Sequence, residues 1–307
     1  MHIYLPIAQI SVNWIVLVSL GLAVGFLSGM LGVSGGFITT PLLIFYGIPA
    51  GVAVATQASP VAAASFVGAL RQGGRKSIDY KMGTFLLIGG LVGSALGVYL
   101  FRFLQRAGQI DFTIKISYLL LLSSIGTMML AESVQAVRAT RRGESVTGRK
   151  PGQHTWIHNL PFKMRFRSSR LYISVIPVIV LGLVVGVMTA ILGTGGAFIL
   201  IPAKVYLLRM RTNLAIGTSQ FQMFIVACMT TVMHAMVDQT VDIVLGFILV
   251  MGGVVGAQFG VTIGSKLKGE ELRTLLALLI LAIAARLFFD LIATPADIYS
   301  LTVGAAG

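Results

Sequence analysis

Two glycine-rich breaks carry the chemistry that this chain is equipped for. Gly32-Val-Ser-Gly-Gly36 and Gly193-Thr-Gly-Gly196 each cut an apolar run, and each is followed by a short apolar run with a proline inside it. Glycine lets a backbone approach a bound group closely, and the N–H groups that open the following helix can hold an anion. Gly32, Ser34, Gly35, Gly36, Gly193, Thr194, Gly195 and Gly196 are therefore candidate binding residues. Downstream, Thr56-Gln-Ala-Ser59 and Thr218-Ser-Gln-Phe-Gln222 set polar groups inside further apolar runs. They add Thr56, Gln57, Ser59, Thr218, Ser219, Gln220 and Gln222 to the candidates. Such groups cost energy in lipid unless they face a partner or water. Neutral hydroxyl and amide donors suit an oxyanion that must be released again. A plainer reading stands beside this one: small residues pack helices closely, and Ser, Thr and Gln hydrogen-bond between them. Binding is preferred for the breaks because they interrupt helices rather than line them.

The titratable residues read more plainly. Asp79 and Asp242 each precede a glycine-rich segment and are expected to cap helices. Lys204 lies close to a basic loop, and snorkelling to the membrane surface is preferred over attraction of an anion. His234 and Asp238, near a loop, could titrate, but a lone surface histidine is the preferred reading. None of the ten acidic residues sits mid-segment beside the polar clusters, so a carboxylate relay at the membrane centre is not expected. The single cysteine, Cys228, permits no intramolecular disulfide and no cysteine-cluster metal site. No metal or cofactor is expected. Gly32-Val-Ser-Gly35 also fits the G-x-S-G of rhomboid-type intramembrane serine proteases, with His234 as base. The second copy, however, has Gly195 where Ser34 stands, so an enzyme is not the preferred reading.

What must position these residues is set by composition. The 307 residues are 56% hydrophobic and 11% charged, about half the charge of a soluble domain. Ten apolar segments follow one another, roughly 12–31, 34–47, 50–70, 82–101, 112–131, 171–192, 195–208, 213–234, 243–264 and 272–292. Barrel-type alternation is absent, so the fold class is all-α and polytopic. Residues 1–11 hold no Lys or Arg, and the first run is expected to be a retained helix. The second and seventh segments are short for a full span, and each is read as a half-helix or one arm of a re-entrant hairpin. A net charge of +13 is assigned to loops facing anionic lipid rather than to nucleic acid.

The chain repeats itself. Gly25, Leu31, Gly32, Gly35, Phe37, Ile38 and Pro41 recur as Gly186, Leu192, Gly193, Gly196, Phe198, Ile199 and Pro202. Thr56 recurs as Thr218, and Asp79, Gly89, Gly93 and Gly97 as Asp242, Gly252, Gly256 and Gly260. The GxxxG strings are assigned to packing. The halves are 12–131 and 171–292, joined by a basic linker, 132–170, read as a strap on anionic lipid with contacts from Trp156, Phe162 and Phe166. Five segments per half force opposite orientation, an inverted repeat. With both termini outside, 18 basic residues fall in inward connections and three in outward ones. Four spans per half would split them about 13 to 8, so five plus five is preferred.

The doubled glycine motif with its downstream proline and the Ala-Thr-x-x-x-polar segment resemble the TauE/SafE family of sulfite exporters, also called the 4-toluene sulfonate uptake permease group. The resemblance covers about 12–292. It implies a bacterial inner-membrane permease for a small anion such as sulfite or an organosulfonate, and an oligomer is compatible with it. The chain departs from the family pattern in its long basic linker and in Ala197 where the first copy has Gly36. A passive anion channel remains the alternative.

Overall fold

The structure, a computed structural model, describes residues 2–31, 35–74, 77–141, 162–166, 168–169, 171–208, 210–264 and 269–292. The first part of the chain forms a hairpin of β1 (His2–Leu5) and β2 (Ile10–Asn13), then helices α1 (Trp14–Leu31), α2 (Gly36–Phe45), α3 (Ala50–Gly74), α4 (Tyr80–Arg106) and α5 (Ile110–Arg141). The second part opens on a hairpin of β3 (Lys163–Phe166) and β4 (Leu171–Ser174). Helices α6 (Val175–Leu192), α7 (Ala197–Pro202), α8 (Thr212–Met233), α9 (Ile243–Gly264) and α10 (Gly269–Ile292) follow. α7 runs on into a π-helical turn, Ala203–Leu207, and α8 into another, His234–Asp238. Among the described residues seven helices are long and apolar enough to cross a membrane, while α1 and α2 are shorter apolar helices. Many side chains on the outside are themselves apolar, Leu120 and Phe247 among them, as a lipid-facing surface requires.

Glycine stripes set the closest contacts. A Cβ on Gly252, Gly256 or Gly260 of α9 would meet the carbonyl of Val18, Leu22 or Phe26 of α1. Both sets of numbers rise together, so α1 and α9 run parallel. In the same way Gly89, Gly93 and Gly97 of α4 lie on Ile179, Leu183 and Val187 of α6, again in parallel. α3 and α8 run antiparallel, with Phe66 on Phe224 at 4.9 Å between ring centroids and Gly68 against Gln220. α5 and α10 are antiparallel too: Lys115 pairs with Asp290 at 2.8 Å, and Gly126 lies on Ile280 and Leu281.

Two aspartates tie the hairpins to the helices. Asp79 Oδ1 accepts the Met82 N–H at 3.1 Å and caps α4, while its Oδ2 accepts the Ser169 N–H at 3.1 Å and hydroxyl at 2.6 Å. Asp242 Oδ1 accepts the Leu245 N–H at 3.1 Å and caps α9, and its Oδ2 accepts the Ile7 N–H at 3.1 Å. The capping roles expected of both are met.

Some expectations change. The two hairpins take residues 12–13 and 171–174 out of the helices, and α5 continues through 132–141, the start of the expected linker. Phe166 does not face lipid. It is wholly buried, with Met82, Leu86 and Ile173 in one apolar cluster, because pairing with β4 turns it inward. Phe162 stays exposed. Trp156 lies outside the described residues, as do Gly32 and Ser34.

Gly256→Val should lower the midpoint of thermal unfolding in detergent, at a cost of about 1–3 kcal/mol or more, because the new side chain meets backbone. Gly74→Ala, where nothing stands within 4 Å, should leave it unchanged. Size-exclusion recovery after heating measures both.

Candidate functional site

The two breaks meet. A Cβ on Gly36, the first residue of α2, would stand 2.8 Å from Val61 Cγ2 and 3.1 Å from the Thr194 carbonyl oxygen. Gly35 is equally confined, with Val24 Cγ1 at 2.6 Å from its added Cβ. These two glycines have right-handed or helical backbone, so here small size matters, not unusual dihedrals. The second break differs: Gly193, Gly195 and Gly196 have φ of +64°, +71° and +58°, a region that side chains disfavour. Its turn is held by Thr194 Oγ1, which accepts the Gly196 N–H at 3.3 Å.

A cavity of about 700 Å³ opens beside the first break. α1, α2, α3 and α9 form most of its wall, and α8 adds Ile216 and Gln220. Gly35, Gly36 and Gln57 lie at its inner end and Arg71 and Gln72, from the last turns of α3, along its wall. Arg71 is the single charged residue among the described residues that line it, and no carboxylate does. Gln57 is 3% exposed, and its Oε1 has no hydrogen-bond partner among the described residues. α2 begins beside that amide at Gly35 and Gly36, and the Gly35 carbonyl takes the Ile38 and Thr39 N–H groups at 3.0 and 3.1 Å. The arrangement is a neutral, donor-rich pocket with one cation, suited to a small anion.

The sequence candidates separate into two groups. Gly35, Gly36, Gln57 and Gln220 line the cavity. The others are engaged elsewhere. Thr56 Oγ1 accepts the Asp242 N–H and Thr218 Oγ1 the Asp79 N–H, each at 3.0 Å, so both hydroxyls brace a capping loop of the opposite half. Ser59 Oγ donates to the Thr56 carbonyl at 2.9 Å. Ser219 receives Lys204, whose Nζ stands 3.0 Å from its Oγ, and Gln222 donates to the Leu86 carbonyl at 3.1 Å. Gly193, Thr194, Gly195 and Gly196 are buried behind the cavity wall.

Two titratable residues depart from expectation. Lys204 does not snorkel. It is fully buried, because the π-helical turn points it at Ser219 rather than along the helix toward the surface. His234 is not a surface histidine either. It is fully buried against Phe101, with Asp238 Oδ2 at 2.8 Å from Nδ1 and the Ala190 carbonyl at 3.0 Å from Nε2.

The cavity also holds residues that sequence reasoning passed over: Ser28, Thr39, Arg71, Gln72, Gln258 and Thr262. Ser28 sits inside the opening motif, where it was visible but unremarked. In the sequence Arg71 is one of the 18 basic residues of the inward connections and nothing sets it apart. Gln258, on a helix dominated by packing glycines, gave no signal of its own.

A family model described as Sulfite exporter TauE/SafE matches residues 17–287. The chain is 22% identical over 286 residues to the "Probable membrane transporter protein YunE" of Bacillus subtilis, covering 91% of this chain and 98% of that one. It is 24% identical to a "Probable membrane transporter protein" of Xylella fastidiosa, over 88% of this chain and 93% of that one. A second Bacillus subtilis relative, "Probable membrane transporter protein YjnA", is 23% identical over 88% of this chain and 98% of its own length. No solved structure matches the chain.

Two classes of variant should behave differently. Gln57→Ala should weaken anion binding roughly ten- to a hundred-fold, one charged hydrogen bond, with unchanged thermal stability. Thr56→Ala and Thr218→Ala should instead lower stability by about 1–3 kcal/mol, because each leaves a buried N–H unpaired. Isothermal titration with sulfite, paired with thermal unfolding of the same samples, separates the two.

Proposed function

The chain belongs to the TauE/SafE family of sulfite exporters, and from that premise we propose that it is a secondary membrane transporter for a small oxyanion such as sulfite or an organosulfonate. The observation that carries this reading is the cavity: one cation, amide and hydroxyl groups, a half-helix N-terminus, and no acidic side chain among the described residues lining it. The anion would sit where Gly35 and Gly36 bring the α2 backbone close to Gln57, with Gln220 about three turns along α3, against Gly68. Neutral donors hold it without a full ion pair, so release stays fast.

The two halves, 12–131 and 171–292, are proposed to be an inverted repeat of five segments each, joined by a basic linker that lies on anionic lipid. Helix directions support this. α3 and α8 are the third helices of their halves and α5 and α10 the fifth, and both pairs are antiparallel. An even number of spans per half would make them parallel. The excess of basic residues in one set of connections supports a cytoplasmic side at the Arg71 end, with both termini outside a bacterial plasma membrane. In that orientation the cavity is open to the cytoplasm.

An anion leaving a negative-inside cell gains about 2.3 kcal/mol per charge per 100 mV, close to a fifty-fold gradient. In proteoliposomes with a clamped potassium diffusion potential, sulfite flux should rise as the sulfite-containing side is made more negative, and it should saturate with sulfite. Flux that ignores potential would sink the electrogenic reading, and flux that never saturates would identify a channel. Arg71→Gln should slow sulfite entry roughly tenfold at low salt and flatten its salt dependence.

Orientation has its own test. With Cys228→Ala removing the single thiol, a cysteine at Ser77 should be labelled by an impermeant reagent from the cytoplasmic side and one at Gln239 from outside. Labelling of both from one side would defeat the inverted repeat.

A further inference from the structure

Residues of the second half that correspond to the cavity wall are joined to one another by hydrogen bonds. The alignment that pairs Thr56 with Thr218 also pairs Pro60, Gly68 and Gln72 with Gln222, Thr230 and His234. The one that pairs Asp79 with Asp242 pairs Leu86 and Ser94 with Leu249 and Ala257, and the one that pairs Gly25 with Gly186 pairs Gly29 with Ala190. Pro60, Gly68, Gln72, Leu249, Ala257 and Gly29 all line the open cavity. Their counterparts are closed on each other. Gln222 donates to the Leu86 carbonyl at 3.1 Å, Ser94 and Thr230 share a hydrogen bond of 2.7 Å, and His234 bonds the Ala190 carbonyl at 3.0 Å. Three contacts thus join six positions whose counterparts line the open cavity.

We propose that the α4–α6–α8 face is the second mouth of the substrate path, closed in this conformation, and that His234 with Asp238 is a proton-binding site that latches it. The inference rests on the inverted-repeat reading above. The proton is required by the hydrogen bonds themselves. A carbonyl can only accept, so Nε2 carries a hydrogen toward Ala190. The 2.8 Å contact between Nδ1 and Asp238 Oδ2 then needs a further proton, on either atom. Losing it would leave a nitrogen lone pair facing a carboxylate oxygen in a fully buried site, so deprotonation weakens the latch and opening lets the proton go. The surroundings leave the pair to itself. α4 presents the Phe101 ring at 4.7 Å between centroids and α6 presents the Ala190 carbonyl. Arg102 and Arg106, farther along α4, and Asp111 at the start of α5 are the nearest charged residues in sequence on the adjoining helices. No ion pair joins them to the latch among the described residues. The other oxygen of the latch carboxylate, Asp238 Oδ1, and nearby Thr240 Oγ1 are buried with no hydrogen-bond partner among the described residues, ready to be hydrated when the mouth opens.

The test is accessibility, which needs no substrate and so separates this proposal from the sulfite reading. In proteoliposomes of the Cys228→Ala protein, Thr230→Cys is labelled with an impermeant methanethiosulfonate from the Gln239 side. Rates are normalised to the exposed Gln239→Cys, which removes the reagent's own pH dependence. From about pH 6 to 8 the normalised rate should rise about tenfold, and His234→Gln, which keeps a donor for Ala190 but binds no proton, should abolish the step. Ser94→Cys repeats the reading from α4 if Thr230→Cys fails to fold, and Asp238→Asn repeats the loss of the step. Equal normalised labelling at both pH values with His234 intact would overturn the proposal. So would a pH step that survives both His234→Gln and Asp238→Asn. Lost sulfite flux with the labelling step intact would count against the substrate alone.

Discussion

An unpaired peptide group in hydrocarbon costs several kcal/mol, and the rest of this structure answers to that constraint. α1 ends at Leu31 and α6 at Leu192, and after each the chain breaks before a short helix begins. Exposed to lipid, such breaks would not survive. Here the second break is buried and pressed against the opening of α2, with the Thr194 carbonyl close to Gly36. Gly35 and Gly36, which follow the first, line the cavity.

Sheltering the breaks requires the helices around them to approach unusually closely. Glycine supplies that on two matched surfaces, α1 against α9 and α4 against α6, where backbone touches backbone. Each surface joins a helix of one half to a helix of the other. The capping aspartates do the same at the helix ends, each receiving a hydroxyl from across the molecule beneath its own N–H. Residues before the linker and residues after it thus supply each other's packing surfaces and brace each other's caps.

The surroundings of the two breaks differ. Around the first break there is open space bordered by glycine, alanine and amides, whereas the corresponding positions around the second are stitched shut. The residues differ accordingly. Gly68 and Ala257 cannot bond to one another, while Thr230 and Ser94 can and do. Leu43 lies in an apolar cluster beneath the first hairpin, and its counterpart Lys204 is equally buried but held by Ser219.

The sequence by itself determined the membrane class, the ten apolar segments, the two breaks, the caps at Asp79 and Asp242 and the packing role of the glycine strings. These follow from composition, period and local backbone chemistry, which act over a few residues. It also marked Gly35, Gly36, Gln57 and Gln220, because a polar group inside an apolar run is visible without a partner. Only the tertiary structure decided which polar groups were already spoken for. Thr56 and Thr218 looked like ligands until the Asp242 and Asp79 N–H groups appeared beside them. Lys204 and His234 looked like surface residues, because a π-helical turn and a partner one turn away leave no periodic trace. Phe166 and the two hairpins were missed for a similar reason, since four-residue strands are too short to show alternation. Whether a polar side chain is free or satisfied depends on groups far away in sequence, and that distance is closed only by folding.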